Sequence, residues 1–246
     1  MKFPKAYNYG TLVWDERTLQ AYALYFEKFV KAYAAEGVRI DQVHVQNEPV
    51  ADQKFPSCVW TGEQMRDFIR DYLGPRFEQS GMDTEIWLGT LNCPDENNGG
   101  PVWQRTNYNC FANTVLMDAA ARRYVCGVSY QWAGKYAVAQ THRDYPDVKL
   151  IQSENECGNG ENSWAYAMYV FTLMSHYITN GVSAYTYWNM ALENGGRSTW
   201  GWWQNSMVSV DPQARTYMLN PEFYLFWHFS HFVKPGAVVL GTQGYF

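Results

Sequence analysis

The chain has 246 residues, of which 47% are hydrophobic and 17% aromatic, and its formal net charge is −5. This length and hydrophobic content suit one large domain, and α/β barrels commonly reach this size. Lys and Arg form no long run, which argues against a nucleic-acid partner and against an anionic membrane surface. No apolar stretch reaches the roughly 18 residues of an integral membrane segment. The sequence leaves the oligomeric state open.

The sequence predicts no metal site and no other cofactor. None of the five Cys residues belongs to a C-x-x-C pair, which argues against a zinc knuckle. His228 and His231 are three residues apart on a predicted helix, but no further ligand lies near them in the sequence. We therefore interpret these two histidines as packed or half-exposed side chains.

Helical and strand-like patterns alternate along the chain. Apolar residues recur at helical spacing from Leu19 to Tyr33, and Gly37 ends that helix. The predicted helices are 19–33, 65–73, 113–124, 135–143, 164–174 and 221–232. The predicted strands are 40–46, 85–88, 126–131, 148–152 and 183–187.

Five strands that alternate with helices predict an α/β fold with a parallel sheet. We favour a (β/α)8 TIM barrel over an open doubly wound sheet, because no G-x-G-x-x-G follows any strand. In such a barrel, the segments after the strands form the face that carries the active site. Three long segments, 49–61, 92–113 and 194–211, are expected to be binding loops. The apolar tail, 237–242, has the pattern of a strand.

Two acidic motifs follow predicted strands, and both suit the cleavage of sugars. Gln46-Asn47-Glu48-Pro49 ends one strand, and Ser153-Glu154-Asn155-Glu156 ends another. Glycoside hydrolysis takes one carboxyl group to protonate the leaving oxygen and a second to attack or to activate water. We expect Pro49 to keep Glu48 extended and Asn47 to bind a sugar hydroxyl. Glu154 and Glu156 both remain candidates for the second carboxylate, because alternate residues of an extended segment share a side.

Aromatic residues at two other strand ends are candidates for sugar binding. Trp188 and Asn189 follow the strand 183–187, and their proposed role is to line the sugar pocket. Tyr130 and Trp132 at the end of 126–131 are weaker candidates of the same kind. A flat ring with a polar tip suits a sugar face, and core packing is the alternative interpretation.

These motifs resemble glycoside hydrolase family 30, the glucosylceramidase-like retaining β-glycosidases of clan A. The resemblance lies in residues 46–49, in 141–154, in 187–189, in 220–236 and in the spacing between them. It implies that Glu48 is the acid/base and that Glu154 is the nucleophile, since the family's nucleophile directly follows Ser or Thr.

The resemblance also implies a fold and an activity. The fold would be a TIM barrel truncated to strands four to eight, with 1–236 as a partial catalytic domain and 237–246 as the start of a side β-domain. The activity would be retaining hydrolysis of a β-linked glycoside or glycolipid, of the glucosylceramidase or β-glucosidase type. A β-1,6-glucanase, a xylan-acting enzyme and an inactive carbohydrate-binding fragment are the alternatives. The parent protein would be secreted or extracellular, with a cytoplasmic location as the alternative.

Overall fold

The computed structural model describes residues 2–4, 8–93, 110–193 and 195–241. The chain divides into two compact units, residues 1–151 and 152–246. The boundary between them falls inside a strand, so each unit contains part of that strand.

The first unit alternates strands with helices. Its strands are β1 (Lys2–Phe3), β2 (Thr11–Leu12), β3 (Gln42–His44), β4 (Glu85–Leu91), β5 (Val125–Gln131) and the beginning of β6 (Lys149–Glu154). Its helices are α1 (Glu16–Ala35), α2 (Gly62–Phe68), α3 (Gly74–Gln79), α4 (Cys110–Leu116), α5 (Ala119–Arg122) and α6 (Val138–Asp144). A π-helical turn, Ile69–Leu73, joins α2 to α3, and a 3₁₀ segment, Trp132–Ala137, precedes α6.

The strands of the first unit lie in the order β3, β4, β5, β6, and the β3–β4 and β4–β5 pairs are parallel. Strands β1 and β2 form a separate antiparallel pair. A parallel sheet with helices between successive strands places the carboxyl ends of β3, β4 and β5 at one edge. This edge is where the first acidic motif lies.

Helix α1 shows how the sequence sets a local element. The Asp15 side chain caps it by accepting a hydrogen bond from the Thr18 amide at 2.7 Å. Gly37, just beyond its end, has a φ of +78°, a conformation that glycine adopts without strain. One face is buried, and its members recur at helical spacing: Leu19, Ala23, Phe26 and Val30.

The second unit contains helices, a short sheet and the end of β6. Its elements are α7 (Trp164–Thr179), β7 (Val182–Tyr185), β8 (Ala191–Glu193), β9 (Val208–Asp211), β10 (Thr216–Leu219) and α8 (Pro221–Phe232). Strand β9 lies between β8, which it pairs in parallel, and β10, which it pairs in antiparallel fashion. After β7, Thr186 bonds to Gln152 and Asn155 through its amide and carbonyl.

The five predicted strands are confirmed as β3 to β7. The helix 221–232 is present with the predicted bounds, and the other predicted helices except 113–124 are present with changed bounds. The single helix 113–124 was wrong, because the chain turns at Met117 and Asp118. There the Asp118 side chain accepts hydrogen bonds from the amides of Ala120 and Ala121 and starts a second helix. The helix expected at 135 begins earlier, as the 3₁₀ segment.

Two loop predictions and one strand prediction need correction. The loop 194–211 ends in a strand, since 208–211 is β9. Most of the loop 92–113 lies outside the described residues, and its end, 110–113, is wrong as a loop because α4 begins at Cys110. The strand expected at 237–242 is wrong for 237–241, which pair with none of the described strands. An apolar run becomes a strand only where a neighbouring strand accepts and donates its backbone hydrogen bonds. Within the described ranges, no helix combines the length and hydropathy needed to cross a bilayer.

A polar contact crosses the sheet above the middle strand of the first unit. The His44 Nδ1 lies 2.8 Å from the Ser129 Oγ, although β4 separates their strands. Gly89 of β4 makes room, because a Cβ there would lie 2.4 Å from the Ser129 Oγ. Burial lowers the pKa of His44 to about 4, so the ring is neutral in the fold at neutral pH.

We expect acid to destabilise the fold through His44. Between pH 6.5 and 4 the unfolded chain binds a proton at this ring that the folded chain does not, so stability falls as the pH falls. The loss reaches at most about 3 kcal/mol, given 1.36 kcal/mol per pKa unit. Denaturant unfolding at pH 7 and pH 4.5 measures it. His44→Gln should flatten the difference, whereas the exposed His142→Gln should keep it, and an equal pH dependence in both variants would contradict this assignment.

Candidate active site

The first acidic motif continues β3 beside β4 before it turns away. The Gln46 amide donates to the Gly89 carbonyl at 2.9 Å, and the Glu48 amide donates to the Thr90 carbonyl at 3.0 Å. Glu48 then takes a φ of +49°, so the expectation of an extended Glu48 was wrong. Its carbonyl accepts a hydrogen bond from the Ala51 amide at 2.9 Å, which closes a tight turn. Pro49 disfavours the right-handed helical region for Glu48, and the turn selects the left-handed region instead.

Two side chains hold Asn47 and Glu48. The Gln131 Nε2 donates to the Asn47 Oδ1 at 3.4 Å and to the Glu48 Oε1 at 3.3 Å. The Thr90 hydroxyl donates to the same Asn47 oxygen at 2.6 Å. Because the side-chain oxygen of Asn47 accepts both of these hydrogen bonds, the Nδ2 of this exposed side chain can act as a donor toward a ligand. Glu48 is half-buried, and its carboxylate receives a neutral donor.

The two aromatic candidates of the first unit differ in their surroundings. Tyr130 has no exposed surface, and its hydroxyl lies 2.5 Å from the hydroxyl of Thr141, which is also buried. This placement supports the packing interpretation of Tyr130 rather than contact with a ligand. Trp132 is half-buried and has a φ of +48° directly after β5. A left-handed conformation at a non-glycine residue is strained, and such strain is common at functional sites.

The second acidic motif ends β6 in the second unit. Glu154 is the last residue of this strand and is half-buried. Glu156 lies beyond the strand, where its Oε2 accepts a hydrogen bond from the Tyr169 hydroxyl at 2.9 Å. The Tyr166 hydroxyl donates to the Glu156 carbonyl at 2.5 Å. Helix α7 therefore holds Glu156, whereas the strand itself positions Glu154.

The aromatic motif of the second unit follows β7. Trp188 is 43% exposed, so a large part of its side chain, though less than half, is open to a ligand in this unit. The Asn189 Nδ2 donates to the Asn205 carbonyl at 3.2 Å, and the Asn189 carbonyl accepts from the Met207 amide at 3.0 Å. Asn189 therefore fixes the backbone of the following loop.

A buried carboxyl group lies beneath this loop. Glu222, near the start of α8, has no exposed surface, and its Oε1 accepts a hydrogen bond from the Asn205 Nδ2 at 2.7 Å. Asn205 is also fully buried, and its Oδ1 accepts from the Gly160 amide at 2.7 Å. Burial raises the pKa of Glu222, and the hydrogen bond from Asn205 opposes that rise. The pKa of Tyr187 is raised mainly by the burial of its own hydroxyl and further by the charge of Glu222.

The structure thus brings the sequence-predicted residues together in two groups. Asn47 and Glu48 share a cluster in the first unit, and Trp132 lies next to its donor, Gln131. Glu154 and the pair Trp188 and Asn189 belong to the second unit. The approach of Glu48 to Glu154 stays a prediction, as do the catalytic roles. Among the described residues, no three His, Cys, Asp or Glu side chains lie together as a metal site would require.

Sequence reasoning missed the polar residues that support these motifs. Gln131 was part of a motif interpreted through its aromatic neighbours, and Thr90 lay between the predicted strand 85–88 and the predicted loop 92–113, although the structure places it in β4. A signal existed for Gln131, since Ser129 and Gln131 alternate in an otherwise apolar strand and so share a face. Gln204 and Asn205 carried no comparable signal, because nothing in an irregular loop predicts which residues are buried.

Comparison with known proteins decides the family. The sequence profile of the glycosyl hydrolase family 30 TIM-barrel domain matches residues 9–233. The chain belongs to this family. The lysosomal acid glucosylceramidase of Mus musculus is 30% identical over 240 residues, which cover 89% of this chain and 44% of that protein. The endo-1,6-beta-D-glucanase of Neurospora crassa is 30% identical over 243 residues, covering 94% and 46%.

A solved structure agrees with this family assignment. The endo-β1,6-glucanase BT3312 superposes with a TM-score of 0.80 at 27% identity, covering 98% of this chain and 53% of that one. The chain therefore spans about half the length of the relatives it matches, and the predicted TIM-barrel class is confirmed at the level of the family domain. The numbering of β3 to β7 as barrel strands four to eight stays a prediction, as does a side β-domain from residue 237.

Glu222 provides a stability test of the second unit. Its raised pKa means that the folded chain holds a proton at this carboxyl group more tightly than the unfolded chain. The free energy of unfolding therefore falls as the pH rises above 4.5, the usual pKa of this group. Glu222→Gln keeps an acceptor for Asn205 without the charge, and we expect its stability relative to the parent to rise between pH 4 and pH 7. Glu222→Leu should destabilise by about 1–3 kcal/mol at both pH values, because the Asn205 Nδ2 loses its acceptor. Equal losses for both variants at pH 7 would contradict the charge cost.

Proposed function

We propose that the chain carries both catalytic carboxylates of a retaining β-glycosidase. The single observation that supports this most is the Asn47–Glu48 pair at the carboxyl end of β3, held by Gln131 in a chain of glycosyl hydrolase family 30. In a TIM barrel, residues at that end of the strands perform the chemistry. The Asn47 amide, a donor for a sugar hydroxyl, and the Glu48 carboxyl group, an ionisable group for the glycosidic oxygen, lie side by side there.

Glu48 is the proposed acid and base. In the first step its carboxyl group donates a proton to the glycosidic oxygen, and the bond from that oxygen to the anomeric carbon breaks as the alcohol departs. In the second step the Glu48 carboxylate takes a proton from water, and the water oxygen attacks the anomeric carbon. The Gln131 donor steadies Glu48 in both states, and the Asn47 amide donates to a sugar hydroxyl near the reacting carbon.

Glu154 is the proposed nucleophile. Its carboxylate oxygen bonds to the anomeric carbon as the leaving oxygen departs, and water later displaces it, so two inversions retain the configuration. A nucleophile must hold a fixed position, and the end of β6 supplies a strand position for Glu154. Glu156, which α7 holds through Tyr169, is the alternative attacker. Trp188 is proposed to line the pocket of the same sugar.

A β-glucoside is the proposed substrate, of the glucosylceramidase or β-glucosidase type. Similarity to the mouse glucosylceramidase supports a glucosyl group on a lipid or another small aglycone. The similarity to the endo-β1,6-glucanase BT3312 over nearly the whole chain favours a second candidate, a β-1,6-linked glucan. Both candidates place a β-linked glucose at the reacting position, and they differ in the leaving group that this glucose carries.

Replacing the nucleophile tests the mechanism. We expect Glu154→Gln to reduce hydrolysis of an aryl β-glucoside by at least a thousandfold, because the amide cannot form the glycosyl ester. Binding of the sugar should persist, since the two side chains have similar shape. Mass spectrometry after incubation with a 2-fluoro glucoside should show one added sugar on the peptide that contains Glu154. A label on Glu156 instead would move the nucleophile.

Replacing the acid tests the other role. Glu48→Gln should slow substrates with poor leaving groups far more than activated aryl glucosides, because only the former need a proton on the leaving oxygen. Glu36→Gln, an exposed carboxylate after α1, is the control and should match the parent. Equal slowing of both substrate types would contradict the acid role of Glu48. Loss of all hydrolysis in the parent, with retained sugar binding, would favour a carbohydrate-binding fragment.

A substrate panel separates the two candidates. Glucosylceramide in detergent and a linear β-1,6-glucan should be compared at equal enzyme concentration. Faster release of ceramide supports the first type, and shortening of the glucan supports the second.

A further inference from the structure

Three consecutive polar residues are buried in the loop before β9. Gln204, Asn205 and Ser206 are 8%, 0% and 1% exposed. Buried polar groups are costly unless they are hydrogen-bonded. Here the backbone amide of each of the three residues donates a hydrogen bond. The Gln204 amide donates to the Gly196 carbonyl at 2.9 Å, and the Asn205 amide donates to the Cys157 carbonyl at 2.6 Å. The Ser206 amide donates to the Asn162 Oδ1 at 2.9 Å.

A close backbone approach fixes Gln204 further. Gly196 has a φ of +56°, and a Cβ at that position would lie 2.3 Å from the Gln204 carbonyl oxygen. Only glycine allows the two segments to meet at this distance. The backbone from which the Gln204 side chain extends is therefore held on both sides, by Gly196 and by the bonds of Asn205.

The Gln204 side chain contacts two indoles. Its Oε1 accepts a hydrogen bond from the Trp202 Nε1 at 3.1 Å and from the Trp188 Nε1 at 3.2 Å. The orientation of an amide follows from its partners, and the opposite orientation would set its NH2 group against two N–H donors. A hydrogen bond between Gln204 and Cys157 also opposes the burial that raises the pKa of the Cys157 thiol. Cys157 lies three residues after Glu154, so one carboxamide joins both site-bearing segments of this unit.

We propose that Gln204 is a positioning residue that fixes the indole of Trp188 for the sugar. This inference rests on the proposed function, in which Trp188 lines the sugar pocket. Trp188 is 43% exposed, and a hydrogen bond to a buried oxygen sets the rotation of its ring. A ring that is fixed before the sugar arrives loses less conformational freedom on binding. Stacking depends on the orientation of the ring face, so the effect of Gln204 falls on binding of the sugar.

A general structural role for Gln204 makes a different prediction. If Gln204 only completed the buried loop, its loss would lower stability and would leave the affinity of the folded protein for sugar unchanged. The positioning role requires an oxygen acceptor at the end of this side chain. The positioning role therefore predicts that variants without the acceptor bind sugar more weakly and that variants with the acceptor do not.

Two variants test the acceptor. Gln204→Met keeps the length of the side chain and removes the oxygen, whereas Gln204→Glu keeps an oxygen for both indoles. We expect Gln204→Met to raise KM for an aryl β-glucoside, and Kd for a non-hydrolysed alkyl thio-β-glucoside measured by calorimetry, by about five- to tenfold, the size of one or two hydrogen bonds. Its kcat should change less than twofold. Gln204→Glu should stay within about twofold of the parent in both constants.

The control is Gln213→Met, which changes an exposed glutamine in the turn between β9 and β10 and should match the parent. If Gln204→Met does not fold, Gln204→Asn replaces it, because its amide is one methylene too short to reach the indoles. Parent-like Kd in the folded Met or Asn variant, or an equal loss in Gln204→Glu, would overturn the proposal. A parent that hydrolyses no β-glucoside would refute the proposed function alone, since the Kd of the thio-glucoside still reports on Gln204.

Discussion

Hydrogen bonds to buried carboxamides or from them hold the Asn47–Glu48 motif of the first unit and the Trp188 motif of the second. In the first unit the Gln131 amide reaches Asn47 and Glu48 from the end of β5. In the second unit Gln204 and Asn205 occupy the loop that follows the Trp188 motif. A polar group without water must find protein partners, so each of these residues has few positions open to it. The same requirement that stabilises the fold also fixes the groups that would meet a sugar.

The backbone around the first motif is strained. Glu48, four residues after β3, and Trp132, directly after β5, both take left-handed conformations, which non-glycine residues rarely adopt. Each conformation is held by surrounding contacts, and the Glu48 turn is closed by bonds to Thr90 and Ala51. Gly89 has no side chain, and the space that a Cβ would fill lets the His44 ring contact the Ser129 hydroxyl. The strand-end face thus combines strain, close approaches and buried polar pairs, as functional faces often do.

Membership of glycosyl hydrolase family 30 connects these local observations to chemistry. The match to this family spans the segments that carry Glu48 and Glu154. It does not select among substrates, because relatives of similar identity are a glucosylceramidase and an endo-1,6-beta-D-glucanase. Selectivity in such a barrel depends on the loops after the strands, and in the second unit that loop contains Trp202, Gln204 and Asn205.

The sequence by itself determined the alternation of helices and strands, the α/β class and the strand-end positions of Glu48, Glu154 and Trp188. Those features depend on periodicity and on residues close in the chain, which a linear pattern records. Only the tertiary structure decided that Tyr130 packs against Thr141, that Glu48 leaves the extended conformation, and that Gln204 meets two indoles. Each of these depends on partners from distant segments, and burial and hydrogen bonding between such segments exist only once the chain has folded.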